Sequence, residues 1–462
     1  MSFITICAAV GGGMVGIMEH LIATLAKYVM TILITVYTYY SFRVFRVKDK
    51  KGQNKLYFKM TAVIFVLHFI GYYILFMEIK NQKLIWLYLC EAALFLTIIL
   101  VYQEIYPKIS RLLLLNMVML LSISFVILAR LSFDKAVKQL IIVAVASLLC
   151  IMVPHAIQSF PHLNKYGWIY GSLGIGLLLL VLLLGKATNG ATNWLNIAGI
   201  SIQPSEFVKI LFVLCIASMF SEGTNFIRVC AITVMAAANV LVLVFEKDLG
   251  GALIFFVTYI MMLYIATSKP IYLFAGLSAG SFAAYIAYRL FYHVRVRVMA
   301  WQNPFGLIDD EGFQMSQSLF AIGTGGWFGL GLNQGLPTSI PVVESDFIFS
   351  AIAEELGGFF AICIILIFIN CFVMFISISL KIDVSFYRLL SLGLSVMIAF
   401  QVILSIGGVI KFIPSTGVTL PLISYGGSSI VSTIVMFMIL QGLNLRDKSD
   451  MKMNEKEIEY IN

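Results

Sequence analysis

The feature that most limits what this chain can become is the recurrence of long apolar runs. Stretches near 21–41, 60–78, 84–102, 112–130, 137–153, 168–186, 206–220, 227–245, 249–267, 271–291, 347–378, 386–410 and 424–443 carry almost no charge. About 20 such residues span a bilayer as a helix. In lipid, only helices and closed barrels satisfy their own backbone. The expected fold class is therefore all-α, a polytopic membrane protein of about thirteen spanning helices. Composition agrees: 61% of the 462 residues are hydrophobic and 12% charged, against roughly 25% charged in soluble domains. A soluble chain this apolar would bare aggregating patches. The run at 3–17 is short and glycine-rich, and reads as an extra interfacial segment. It lacks a basic n-region, so no cleavable signal peptide is expected.

The net charge of +8 comes from Lys and Arg in short runs between the apolar stretches. That pattern is the positive-inside rule and not a nucleic-acid footprint, so no nucleic-acid partner is expected. The densely basic loop from Arg43 to Lys59 belongs on the cytoplasmic side. Alternation then puts 103–111, 154–167 and the tail 446–462 inside, and the N-terminus, 187–205, 292–346 and 411–423 outside. The tail is polar and expected to be disordered. Cys7, Cys90, Cys150, Cys215, Cys230, Cys363 and Cys371 lie in apolar runs without a CxxC pair. They read as buried small hydrophobes, not as disulfides or metal ligands.

Four clusters carry chemistry-bearing residues. Asn193-Trp194-Leu195 leads to Gln203-Pro204-Ser205-Glu206-Phe207 and Lys209. Pro204 would break the chain before a helix that Ser205 caps, with Glu206 favoured at its start. This is either a plain helix start or a polar cavity near the membrane surface. Glu246-Lys247-Asp248-Leu249-Gly250-Gly251 reads as a tight outer turn. The loop 292–346 is much the longest and, with its Trp, Phe and glycine-rich turns, is expected to be ordered over the helices. It holds Arg295, Arg297, Asn303-Pro304, Asp309-Asp310-Glu311 and Gln317-Ser318. Arginine forks suit phosphate, and carboxylates suit a general base or a divalent metal. The stretches Gly323–Gly326 and Gly329–Gly331 could let backbone N–H groups approach an anion. The fourth cluster is intramembrane: Asp346 would open a helix with Glu354-Glu355 two turns in, where carboxylates must face the bundle interior. Pro414–Gly417 and Pro421–Ser429 complete it.

These motifs resemble the SEDS family, the cell-division, rod-shape and sporulation proteins FtsW, RodA and SpoVE. The resemblance covers roughly 112–445. It is carried by Ile202-Gln203-Pro204-Ser205-Glu206-Phe207, Asp248-Leu249-Gly250, Gln317-Ser318-Leu319, Asp346-Phe347-Ile348-Phe349, Glu354-Glu355-Leu356-Gly357 and Leu422-Ile423-Ser424-Tyr425-Gly426-Gly427-Ser428-Ser429. It implies a ten-helix core at 111–445 in the bacterial cytoplasmic membrane that polymerises lipid II into glycan strands on the outer face, for division, elongation or sporulation. It also implies a class B penicillin-binding protein as partner, with other divisome or elongasome proteins. The segment 1–110, with about three further helices, is an addition to that core: either a partner-binding or regulatory module, or a lineage-specific addition with a packing role. In the family's long loop an essential Asp follows an Asn-Pro pair. Its position here, between Asn303-Pro304 and Gly312-Phe313-Gln314, is Leu307, and the nearest carboxylates are Asp309 and Asp310.

The implied reaction is attack by the 4-hydroxyl of one lipid II on the anomeric carbon of the growing strand. The transition state is oxocarbenium-like and the leaving group a diphosphate-lipid. Asp309 or Asp310 would take the proton. Arg295, Arg297 or a Mg²⁺ ion would meet the diphosphate. Glu206, Lys209, Asp248, Gln317 and Ser424 would bind substrate. Two other classes fit a many-helix chain with intramembrane carboxylates: a lipid II flippase and a non-catalytic scaffold that activates a synthase.

Overall fold

The computed structural model describes residues 24–160, 162–188, 191–197 and 200–461. The segment 3–17, Cys7 and the N-terminus lie outside the described residues. Among these residues, twelve helices are long and apolar enough to cross a membrane. A thirteenth, α1, is helical over 24–43. The others are α2 (Lys50–Ile79), α3 (Lys83–Ile105), α4 (Arg111–Leu131), α5 (Phe133–Cys150) running on through α6 (Met152–Ser159), α7 (Gly167–Leu184), α8 (Pro204–Ser221), α9 (Phe226–Phe245), α10 (Leu249–Thr267), α11 (Pro270–Leu290), α15 (Gly358–Ser379), α16 (Ser385–Val409) and α17 (Gly427–Ile461). The all-α membrane fold expected from hydropathy is the fold observed.

Local chemistry sets the helix starts. Asp49 accepts from Gly52 N (2.6 Å), Asn225 from Arg228 N (3.1 Å) and Asp248 from Gly251 N (2.8 Å), each supplying an acceptor that a first turn lacks. Pro204 and Pro270 open α8 and α11, where a missing N–H costs nothing. Ser205 is therefore not the cap expected of it; it is buried inside the first turn of α8. Glycines at 167, 171 and 174 bring α7 onto α8, where a Cβ would meet Ser218, Cys215 and Val208, the small-residue packing typical of membrane helices.

α4 is the axis of the bundle, with every residue from Leu112 to Ala129 buried. α2 and α3 cover one side of it, and α5 and α15 pack against it as well. Polar bonds stitch the layers: Tyr37 Oη donates to Asn116 Oδ1 (2.9 Å), and Asn116 Nδ2 to Asn370 Oδ1 (2.8 Å). His68 and Glu91 form a fully buried pair at 3.2 Å, with Ser122 Oγ 3.1 Å from His68 Nδ1. In lipid such groups must find partners within the bundle.

Several local expectations give way. The span 347–378 splits into α14 (Ile348–Leu356) and α15, because Gly357 takes φ 88°. Asp346 precedes α14 by two residues instead of opening it. The segment 187–205 holds most of a small antiparallel meander, β1 (Lys186–Thr188), β2 (Ala191–Ile197) and β3 (Ile200–Ile202). The backbone of α17 stays helical to Ile461 where a disordered tail was expected; Lys, Glu and Met, all good helix formers, dominate that stretch. Cys150, Cys215, Cys363 and Cys371 are buried as expected, but Cys90 and Cys230 are exposed on the outside of the bundle.

The long loop is ordered, as expected. It contains α12 (Tyr292–Gln302), a 3-10 turn Phe305–Leu307, α13 (Phe313–Gly325) and a second 3-10 turn Pro337–Ser339. Its glycines do not present N–H groups to an anion. Leu330 N and Gly331 N donate to the carbonyls of Glu354 and Glu355, both at 2.9 Å. The extension grips the same stretch: Lys27 Nζ donates to Gly329 O (2.9 Å), and Gln334 Nε2 to Glu78 Oε1 (2.9 Å).

Candidate functional site

The basic stretch 43–59, expected to be a loop, is a short turn at 44–49 followed by the first turns of α2; at the end of the bundle opposite that turn, polar groups from several segments converge. β2 and β3 carry Asn193 and Gln203 to the start of α10, and both side-chain amides lie 3.4 Å from Asp248 Oδ2. Asp248 Oδ1 is occupied in capping α10. α12 brings Arg297, whose Nη1 donates to Ser415 O (3.3 Å). Asp346 lies with Ser415, Thr416, Gly417 and Val418 in one cleft, backed by Leu404, Ser405, Gly408 and Val409 of α16. A Cβ at Gly417 (φ 72°) would stand 3.4 Å from Asp346 Oδ2 and 3.6 Å from Arg297 Nη2. Glycine at 417 therefore permits the backbone that brings this strand onto the charged pair.

Asp346 and Arg297 are oppositely charged groups, both partly desolvated, that influence one another electrostatically. Burial pushes Asp346 above the ordinary carboxylate range, against the pull of Ser345 and Arg297. Burial lowers Arg297, while Asp346 and Asp248 raise it. Burial, then Arg297 and Lys247, lower His293 on the same helix. Asn193 Oδ1, His293 Nε2, Thr416 Oγ1 and both carboxylate oxygens of Glu246 are buried with no hydrogen-bond partner among the described residues. Buried polar groups are normally satisfied by protein or by ordered water.

Glu246 is fully buried at the end of α9. Burial, with Asp248 adding, pushes it from 4.5 up to about 8. Above pH 4.5 the unfolded chain releases a proton that the folded protein keeps until about pH 8. Stability from this group is thus complete below pH 4.5 and lost as pH rises through 8. A Glu246→Gln variant is expected to match the wild type near pH 4.5 and to unfold at a higher temperature than it at pH 8. Thermal midpoints across that range check this, and parallel curves would refute it.

One turn below the cleft lies a second network. Lys209 Nζ bonds Glu206 Oε1 (2.7 Å) and Gln401 Oε1 (3.2 Å), and Ser432 Oγ donates to Glu206 Oε2 (2.9 Å). Gln401 Nε2 reaches Thr419 O (3.1 Å), joining the network to the strand that closes the cleft. Glu206 and Lys209 are both buried. They form a closed internal network with Gln401 and Ser432.

The other nominated residues are placed differently. Arg295 is exposed and lies over the Tyr292 ring, 5.9 Å from its centroid. Leu307 ends the 3-10 turn, and Asp309 and Asp310 stand exposed on the turn after it, with Asp310 N bonded back to Leu307 O (3.1 Å). Gln317 is half-buried on α13. Ser424 is an internal latch, accepting from Leu420 N (2.9 Å) and donating to Ser345 O, which fixes the backbone just before Asp346. The intramembrane carboxylates anchor the loop. Arg130 Nε bonds Glu355 Oε1 (2.9 Å), Arg130 Nη2 bonds Gly335 O (3.1 Å), and Glu354 Oε1 accepts from Leu336 N (3.0 Å). Asp346, which the sequence marked as a helix start and as part of a motif, is the carboxylate in the cleft.

Among the described residues, no group of three or more His, Cys, Asp or Glu is placed to hold a metal ion. Asp346 stands beside a guanidinium, and one Asp248 oxygen is committed to its cap. These residues do not make a ready-made Mg²⁺ site.

A family model described as cell cycle protein, for FtsW, RodA and SpoVE, matches residues 103–449. The peptidoglycan glycosyltransferase RodA of Mycobacterium tuberculosis is 34% identical over 298 residues, which are 60% of this chain and 64%, less than two thirds, of that one. A probable peptidoglycan glycosyltransferase FtsW of Buchnera aphidicola is 34% identical over 288 residues, 58% of this chain and 79% of that one. Among solved structures, one of a peptidoglycan synthase complex that coordinates polymerization and crosslinking contains a chain similar to this one. Its TM-score is 0.61 at 25% identity, over 74% of this chain and 98% of that one.

Proposed function

This multi-pass membrane protein belongs to the FtsW–RodA–SpoVE family of cell cycle proteins, and from that premise we propose that it is a peptidoglycan glycosyltransferase polymerising lipid II at the outer face of the bacterial cytoplasmic membrane. The observation that carries this is the cleft where Arg297 and Asp346 meet unpartnered polar atoms at the end opposite the basic loop. A guanidinium suits a departing diphosphate. An outer-end carboxylate suits the proton of the attacking hydroxyl, the candidates being Asp309 and Asp310 on the open turn and Asp346 in the cleft. Asp248 shapes the polar rim, over the closed network of Glu206 and Lys209. A class B penicillin-binding protein is the proposed partner, by analogy with the synthase complex that contains a similar chain.

The test is polymerisation by the purified full-length protein given labelled lipid II, with and without Mg²⁺ and the cognate class B partner, with products resolved by gel. Long strands are expected. A folded, partner-bound protein that makes none would support the second reading, a non-catalytic scaffold, which Leu307 at the family's Asp position favours.

A further inference from the structure

We infer that the long outer loop is moored in the bilayer: Trp327 and Phe328 enter the outer leaflet near the glycerol level, and residues 326–331 form a lipid-docking surface. The depth of this segment is set by α15. Gly358 N donates to Gly326 O (2.9 Å) and Phe359 N to Trp327 O (3.1 Å). The loop thus supplies acceptors to the first turn of a helix long and apolar enough to cross the membrane, a turn whose N–H groups have no partner within the helix. α1 meets the segment from the other side. The Phe328 ring lies 5.3 Å from Tyr28 and 5.3 Å from Phe359, and Trp327 lies 5.0 Å from Phe359, centroid to centroid. Trp327 and Phe328 therefore stand level with the outer ends of two helices, not above them.

These four rings pack together and still remain 42–62% exposed. They head two stripes of exposed apolar side chains, Leu25, Val29 and Ile32 on α1 and Ile362, Ile369 and Val373 on α15. Helical spacing puts each set on one face, and an exposed apolar face of this extent on a membrane protein meets acyl chains. The aromatic patch continues that face. Trp and Tyr are the residues that settle where acyl chains give way to headgroups.

The backbone suits lipid as well. Irregular chain is tolerated at membrane depth only where the protein satisfies its polar groups. Here the carbonyls of Gly326, Trp327 and Gly329 and the N–H groups of Gly329, Leu330 and Gly331 are all bonded. Gly329 N donates to Gly325 O (2.8 Å), and Gly329 O accepts from the Lys27 ammonium (2.9 Å). A loop in water has no such requirement, because solvent would satisfy those groups. Lys27 fits the same level, its stem along apolar surface and its head among polar groups. Asp309, Asp310 and Glu311 are exposed too, but their charge keeps that turn in water.

The experiment puts the full-length protein, one molecule per nanodisc of phosphatidylcholine and phosphatidylglycerol, in lipids brominated high or low on the acyl chains. Tryptophan emission is read for wild type and Trp327→Phe, and the difference isolates Trp327. That emission should be quenched at least about twofold more by high than by low bromines, as the shallow depth of an interfacial ring requires, and should resist aqueous iodide. Phe328→Trp adds an indole at the same level and should enlarge the lipid-quenched emission. That gain carries the test if Trp327→Phe proves poorly folded by size exclusion. Quenching by iodide with no response to either brominated lipid would put the segment in water and overturn the proposal. Emission that neither quencher reaches would mean that protein covers the patch, which overturns it equally.

Discussion

Replacing Lys209 with methionine is expected to destabilise the bundle by about 3–5 kcal/mol, the typical cost of stranding one member of a buried ion pair. Lys209 lies five residues into α8, about 8 Å along the helix. Among the described residues, its ammonium is the one cation bonded to the buried Glu206 carboxylate. Without it, Glu206 keeps only the Ser432 hydroxyl, and Gln401 loses the donor to its side-chain oxygen. Gln401 also holds Thr419 O, so the strand that closes the cleft should loosen too. Fluorescence-detected thermal unfolding in detergent should show a clearly lower midpoint. The Glu206→Gln/Lys209→Met double variant should recover much of the loss, because no isolated charge is left. An unchanged midpoint for the single variant would mean that water already reaches this network.

A second large effect is expected at Gly357. The residue sits at φ 88°, and a Cβ there would lie 2.3 Å from Gly329 N and 2.5 Å from Phe328 C. Backbone cannot retreat as a flexible side chain can. Gly357→Ala therefore combines left-handed strain of roughly 1–3 kcal/mol with separation of the 326–331 segment from the α14–α15 junction. The bonds from Leu330 N to Glu354 O and from Gly331 N to Glu355 O go with it. The loop should become open to protease added from outside, while α15 and α16 stay inserted. Equal cleavage of wild type and variant would show that the loop does not depend on this junction.

Hydropathy made the helices and their number legible, because lipid leaves a chain few alternatives. It did not settle the break at Gly357: Glu354-Glu355 and Gly357-Gly358 interrupt the apolar run there, but the close approach of Gly329, nearly thirty residues earlier, is visible only in the fold. The meander had a signal: Asn189-Gly190 is a hairpin pair between short runs containing Thr and Ile. Asp309 and Asp310 drew attention by their position in the chain. Asp346 stood out only as the opener of a helix and as part of a motif, because one Asp before a helix ordinarily reads as a cap. Only folding shows that Ser415–Val418, some seventy residues later, close around it. Glu354 and Glu355 were rightly expected to face inward, but sequence alone does not show that their partners are Arg130 and loop backbone.

The complete burial of α4 also bears on how the chain is made. Synthesis runs from the N-terminus, so α1, α2 and α3 enter the membrane before α4, the first long helix within the family match. When α4 arrives, Tyr37 and His68 are already in place to receive Asn116 and Ser122. A translation product begun at residue 103 would release α4 with those two polar groups turned toward acyl chains. The extension thus acts as a birth partner for the enzyme-like half of the molecule, and its absence should be felt first as poor insertion yield.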